Sequence, residues 1–264
     1  MKLKTAAVTF VPQIGQMEEN LQMAATLIRQ AADGGAQLVL LPELWNTGYD
    51  LPRVSLLAEG SSGPSVSLLR ESAIAHGVWI AGGSILERRH DKYHNTMFVV
   101  APDGRITAKY RKAHLFPREL QEQQYLSAGD EAVRFLLETG AGAVCTGLAI
   151  CYDLRFPELF RNLALRGAKL LLVPAYWPKA RRAEFELFCR SRAAENRCFL
   201  LAANDAPGAP SLAVLPDGEV LASSSEQADV LFATFDFDLL TDEKYFDSLA
   251  DRQPFIDEID NNLL

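Results

Sequence analysis

The feature that most limits what this chain can become is a set of short apolar runs placed far apart. AQLVLLPEL (36–44), VWIAGGSIL (78–86), AKLLLVPAYW (168–177) and CFLLAAND (198–205) are bounded by glycine, proline or charge. Runs this short, apolar at neighbouring positions and not at every second one, read as strands covered on both faces. None approaches the ~18 apolar residues of a membrane helix. Helical stretches separate them. Leu21, Ala24, Ile28 and Ala31 mark one helical stripe, which Gly34 and Gly35 end. Pro64 opens a helix to His76, Pro157 opens another that Gly167 stops, and 181–195 is a third. Further strands are expected at 4–11, 94–102, 104–112, 133–137, 143–150, 211–216, 219–223 and 229–238. Pro102-Asp103-Gly104 and Pro216-Asp217-Gly218 supply two of the turns. With no linker and no repeat, residues 1–264 read as one α/β domain with sheets stacked between helical layers. The last twenty or so residues are polar and read as a tail reaching a partner.

Composition removes several classes of function. Hydrophobic residues make up 48% of the 264, enough for a large core. The balance of 26 basic against 34 acidic residues gives a net charge of -8, with no basic stripe for a nucleic acid. The opening MKLKTAAVTFVPQIGQ carries lysines before a short apolar run, but Pro12, Gln13 and Gln16 end it and no small-residue cleavage site follows. It reads as a strand in a soluble, cytoplasmic protein. Cys145, Cys151, Cys189 and Cys198 form no CxxC pair, so neither disulfides nor a redox pair are expected. His76, His90, His94 and His114 lack metal-ligand spacing, so no metal and no cofactor is expected.

The chemistry centres on GLAICYDLRFPEL (147–159). A free cysteine is by default a core residue, and Cys145, Cys189 and Cys198 are read that way. Cys151 differs because it ends an apolar strand at a sharp turn into the helix opened by Pro157 and Glu158. Such an elbow exposes a nucleophile and leaves backbone N–H groups free for an anion. A thiol needs a base at neutral pH. Glu43, in LPELW, stands at the carboxyl end of an apolar strand, where α/β sheets gather their catalytic groups. Its neighbours Leu44 and Trp45 are apolar, and an apolar pocket favours the protonated carboxyl. Lys112, in KYRKAHLF, supplies fixed positive charge for an oxyanion if it points inward. Glu122 either orients that lysine or stands as an exposed loop acid.

LPELW, YRKAHLF and GLAICYDLRFPEL, in that order, resemble the signature blocks of the carbon–nitrogen hydrolase (nitrilase) superfamily. The likeness extends through GAQLVLLPE, the SAGD turn and RSRAAENRCFLLAAND. It implies a four-layer αββα sandwich, a homodimer meeting through its α-layers, and a Glu–Lys–Cys triad on Glu43, Lys112 and Cys151. A second family glutamate falls on Glu122, and the backbone N–H of Tyr152 serves as an oxyanion donor. Tyr152-Asp153 after the cysteine, where nitrilases carry Trp-Glu, resembles the amidase side, ω-amidases and deaminated-glutathione amidases above all. AYWPKARR resembles bacterial ω-amidase-like members. In similar amidases the residue matching Arg155 binds a substrate carboxylate; taken alone, Arg155 equally suits a salt bridge with Glu158 or another local acid. Tyr49, Tyr125, Tyr176 and Trp177 are candidates for the pocket wall or for plain packing. Arg181 and Arg182 assist with charge or simply start a helix. The chain departs from the family at APSLAV, where relatives show Gly-x-Ser, and in the loop KAHLFPRELQEQ. The expected activity is hydrolysis of a small, carboxylate-bearing amide by water through a cysteine thioester, with release of ammonia. The alternatives are an N-carbamyl amino-acid or polyamine amidohydrolase with the same triad, a thiol-transfer protein, and a non-catalytic binding protein.

Overall fold

Alternation along the first strands fixes how the layers stack. In β1 (Lys2–Val8), Leu3 and Ala7 face one way while Ala6 and Val8 face the other. In β2 (Leu38–Leu40), Leu38 and Leu40 oppose Val39 in the same manner. One set joins the core between two sheets. The other packs under α1 (Met17–Asp33), through its Ala24, Leu27, Ile28 and Ala31. A sheet buried on both faces therefore arises where successive residues are apolar, as at Ala6, Ala7 and Val8 of β1 and the whole of β2. The computed structural model describes residues 1–205, 210–224, 229–241 and 249–251.

After the short helix α2 (Val54–Leu57), α3 (Pro64–His76) lies beside α1 and adds Val66, Leu69 and Ala73 to the outer core. β3 (Trp79–Ala81), β4 (Ile85–Arg89), β5 (Lys92–Val100) and β6 (Ile106–Arg111) complete the first half. The second half runs β7 (Arg134–Thr139), β8 (Gly142–Leu148), α4 (Pro157–Leu165), β9 (Leu170–Ala175), α5 (Arg182–Asn196), β10 (Phe199–Asn204), β11 (Leu212–Val214), β12 (Val220–Ser223) and β13 (Val230–Asp236). The first sheet has the order β13-β1-β2-β3-β5-β4, with β6 paired to β5. The second is β12-β11-β10-β9-β8-β7. The two sheets face each other, α1 and α3 cover one outside and α4 and α5 the other. This is the four-layer αββα arrangement.

Strand direction gathers the candidate residues at one edge. β1, β2 and β3 are parallel, and β6 runs with them because β5 reverses twice. β8, β9 and β10 are parallel in the second sheet. Glu43, Lys112, Cys151 and Tyr176 thus all follow the carboxyl ends of strands.

Several expected elements need correction. The run 78–86 is not one strand: Gly82 and Gly83 divide it into β3 and β4. Gly83 has φ +57, and a Cβ there would lie 2.0 Å from the Pro42 carbonyl oxygen, so only glycine lets the chain pass beside the segment holding Glu43. The first strand is Lys2–Val8 and not 4–11. β2 covers only Leu38–Leu40 of the expected run, because the chain turns from Pro42 onward. Cys189 and Cys198 are buried, but Cys145 is only half-buried on β8, its sulfur beside the Arg134 guanidinium at 3.6 Å. The polar tail lies largely, and the loop at 206–209 wholly, outside the described residues.

Candidate active site

Three side chains of the site, those of Glu43, Glu122 and Cys151, stand at or beside left-handed backbone. Cys151 has φ +47, the left-handed region that non-glycine residues rarely occupy, as it enters the 3-10 segment Cys151–Arg155. Leu44, next to Glu43, has φ +46, and Gln121, next to Glu122, has φ +47. Such outliers persist only where the surroundings over-determine them. Around Cys151 the fixing group is Asp153, fully buried. Its carboxylate accepts from the Ile150 amide at 2.8 Å, the Tyr110 hydroxyl at 2.7 Å and the His114 amide at 3.0 Å. It also lies 2.7 Å from His114 Nδ1. One acid therefore ties the cysteine elbow to the strand end that carries Lys112.

Lys112 is enclosed between two acids. Its Nζ donates to Glu43 Oε1 at 2.8 Å and to Glu122 Oε1 at 2.9 Å, and all three side chains are fully buried. Glu43 also accepts from Asn95 Nδ2 at 2.9 Å and, through Oε2, from the Tyr176 amide at 2.9 Å. Glu122 Oε2 accepts from the Phe116 amide at 2.7 Å, which locks the loop between Lys112 and Glu122. Glu122 is thus an interior residue and not an exposed loop acid. The Cys151 thiol donates to the Tyr176 carbonyl at 3.9 Å, and the Tyr176 amide in turn binds Glu43, which sets the sulfur within reach of the Glu43 charge.

These contacts settle protonation. Burial and the Glu43 charge, against the pull of Lys112, push the Cys151 thiol well above the ordinary range, so the sulfur rests protonated. Burial alone lowers the Lys112 ammonium, but Glu122 and Glu43 outweigh it and keep the group charged. Burial raises Glu122, against Lys112 and with the help of Glu43. Burial, then the charges of Glu43 and Glu122, raise Tyr49, which stays a neutral phenol.

The sulfur and the ammonium reach the closed end of a cavity of about 300 Å³. Tyr49, Tyr152, Tyr176 and Trp177 line it, with Arg155 and Arg181 further out. The Arg155 guanidinium pairs with Glu184 and not with Glu158. Arg182 opens α5 and is not among the lining residues. Tyr125 is also placed elsewhere. It packs against the cluster of Leu44, Leu51, Leu115 and Leu126, because the 3-10 turn at Glu122–Gln124 carries its ring behind Glu122.

A chain with this fold and this site has known relatives. The carbon–nitrogen hydrolase family model matches residues 4–245. The chain belongs to the carbon–nitrogen hydrolase family. It is 37% identical over 243 residues to the 2-oxoglutaramate amidase of Bacillus subtilis, covering 89% of this chain and 92% of the relative. It is 36% identical over 239 residues to omega-amidase NIT2 of Homo sapiens, covering 85% of each. Among solved structures, Saccharomyces cerevisiae Nit3, a member of branch 10 of the nitrilase superfamily, superposes with TM-score 0.82 at 29% identity, over 91% of this chain and 92% of that one.

In this carbon–nitrogen hydrolase some site residues escape a reading of the sequence. Asn95 holds Glu43 from mid-strand β5, where it stands between His94 and Thr96 and nothing in the pattern sets it apart. Phe116, Glu119 and Leu120 form one wall and Pro178 and Ala180 part of the other, from loops without periodicity. Asp205 lies 1% exposed just after β10, and neither carboxyl oxygen has a hydrogen-bond partner among the described residues. Burial, then the nearby Glu43 charge, raise its pKa well above the usual carboxylate range.

Proposed function

We propose that the enzyme is a cysteine amidase for ω-monoamides of small dicarboxylic acids, 2-oxoglutaramate among them. The observation carrying this reading is a thiol and an ammonium bordering one cavity that two guanidinium groups also line, with the Glu43 carboxylate 2.8 Å from that ammonium. Glu43 takes the Cys151 proton as the sulfur attacks the amide carbonyl, forming the S–C bond. Lys112 has three N–H groups and two face Glu43 and Glu122, which leaves the third for the oxyanion. The Tyr152 amide, in the first turn of its 3-10 segment, has no intrahelical acceptor and is the second donor. Protonated Glu43 then gives its proton to the departing nitrogen, the C–N bond breaks, and ammonia leaves. Glu43 next takes a proton from water, whose hydroxide cleaves the thioester and returns the thiol. Glu122 positions Lys112 throughout. Splitting one difficult hydrolysis into two easier steps is what covalent catalysis supplies. Arg155 anchors the far carboxylate, its guanidinium held from behind by Glu184. Tyr49, Tyr176 and Trp177 form the wall along the substrate's methylenes.

Ammonia release from 2-oxoglutaramate, succinamate, N-carbamyl amino acids and nitriles, with Cys151→Ala as blank, tests the reading. Turnover of the ω-amides, with an acyl adduct on Cys151 by intact mass, is the expected result. Carbon dioxide released with the ammonia from a carbamyl compound, and none from the ω-amides, moves the assignment to a carbamyl amidohydrolase. We extend the proposal to a homodimer packed through the layer of α4 and α5, which leaves Leu165 and Leu187 exposed in the single chain. Sedimentation velocity reads this directly.

A further inference from the structure

Two guanidinium groups flank the outer cavity, and they are held differently. The Arg155 guanidinium lies 5.1 Å from the ring centres of Trp177 and Phe188 and 5.9 Å from that of Tyr152. Its Nη2 donates to Glu184 at 2.5 Å. It is caged. Arg181, on the 3-10 turn Lys179–Arg181, has its guanidinium 5.8 Å from the Phe116 ring centre. Its Nη2 donates to Glu119 Oε1 at 3.1 Å. The Trp177 indole holds the Arg181 carbonyl at 3.0 Å, so the backbone is fixed while the side chain leans on an exposed partner. Glu119 is 67% exposed, and it comes from the loop that Glu122 locks, on the wall formed by Phe116 and Leu120. The pair therefore clasps one wall of the cavity to the other.

Charge at this point is balanced before any substrate arrives: two guanidinium groups face two carboxylates, Glu184 and Glu119. A substrate carboxylate entering beside them adds a negative charge in a partly dry cavity, where uncompensated charge is costly. One resident acid has to leave. Glu119 is the one to go, because its side chain is 67% exposed against 49% for Glu184 and its bond is longer, 3.1 Å against 2.5 Å. Glu184 holds a cation boxed in by rings.

We infer that Arg181 is a second carboxylate-binding residue, and that Glu119 is its resident counter-ion, displaced into solvent when an acidic substrate binds. The inference rests on the proposed amidase reading and adds a selection rule to it. An ω-amide with a free carboxylate takes the place of Glu119 on Arg181, whereas a neutral amide has nothing to exchange. The pair thus sets the preference for acidic over neutral substrates.

Steady-state kinetics with succinamate and its neutral counterpart butyramide test this in Glu119→Gln, Arg181→Gln and the double variant. Glu119→Gln removes the competing charge, so KM for succinamate falls roughly threefold or more, the scale of one partly screened charge. Arg181→Gln raises that KM by about tenfold, the scale of a lost charge-assisted hydrogen bond. The double variant follows Arg181→Gln alone, because Glu119 competes only while Arg181 is present. The succinamate-to-butyramide ratio of kcat/KM rises in the first variant and falls in the other two. Equal shifts for both amides, or a higher succinamate KM in Glu119→Gln, overturn the inference and make the pair a structural strut. Thermal unfolding of each variant excludes misfolding as the cause. If the unsubstituted enzyme hydrolyses succinamate through Cys151 and the ratio ignores positions 119 and 181, only this inference fails. If Cys151→Ala retains turnover, the amidase reading fails and this inference falls with it.

Discussion

Burial and the Glu43 charge raise the Cys151 thiol, and in the proposed mechanism Glu43 accepts that proton. Glu43→Gln should lower turnover by about 10²–10⁴, the range for a general base. It should also remove a negative charge from beside the sulfur. The pH at which iodoacetamide alkylation of Cys151 reaches half its maximum should therefore lie above an ordinary thiol's, ~8.5, in the unsubstituted protein and drop in the variant. A variant that loses activity with an unmoved alkylation profile contradicts the pairing. Asp205 offers a test of a different kind. Its pKa is raised in the folded state, so between the unfolded carboxyl's pKa and the folded one the native protein binds more protons than the unfolded chain. By linkage its contribution to stability falls as pH rises through that window. Asp205→Asn does not titrate. Its stability relative to the parent, from urea denaturation, should grow steadily from pH 5 to pH 8; a constant difference places the proton elsewhere.

Among elements, the turns between strands and helices do more than the strands to build the site, and they are also where the sequence was least informative. The 13-residue helix Pro64–His76 was legible to the residue, because Pro64 and Gly77 mark its ends. The cysteine elbow was legible for the same reason, a strand running into a proline-opened helix. The break at Gly82 and Gly83 was not, since apolar residues continue on both sides and only the approach to Pro42 shows why glycine is needed. Gly83→Ala should accordingly destabilise the fold by about 2–4 kcal/mol, the upper range for strain at a special backbone position. Because the Pro42 carbonyl must move, and Glu43 with it, kcat should fall alongside Tm. Unchanged kcat with a lowered Tm would show that the strain is absorbed away from Glu43. The burial of Glu122 was also hidden, because the two glutamines after it look like an exposed loop until Lys112 is seen to hold a second acid.

For the molecule as a whole, the site belongs to neither sheet. Glu43 and Lys112 follow strands of the first, Cys151 and Tyr176 strands of the second, and only the packed interface brings them together. Trp79 on β3 illustrates that interface, with its ring 5.7 Å from Phe135 and its indole donating to the Glu138 carbonyl at 2.8 Å. Amidase activity should therefore vanish at a urea concentration no higher than that at which far-ultraviolet circular dichroism is lost. Activity surviving past the loss of half the signal would mean that one sheet suffices. Sheets stacked between helical layers were readable from strand and helix alternation, and the four-layer αββα arrangement from the family resemblance, but not which sheet each strand joins, because pairing depends on contacts far apart along the chain. The guarded sulfur has a consequence beyond turnover. Peroxide and other oxidants attack the thiolate form of cysteine. A nucleophile that stays protonated until an amide is aligned beside it presents little of that form to the surrounding medium, so the resting enzyme should outlast an oxidative burst that disables proteins whose cysteines are permanently ionised.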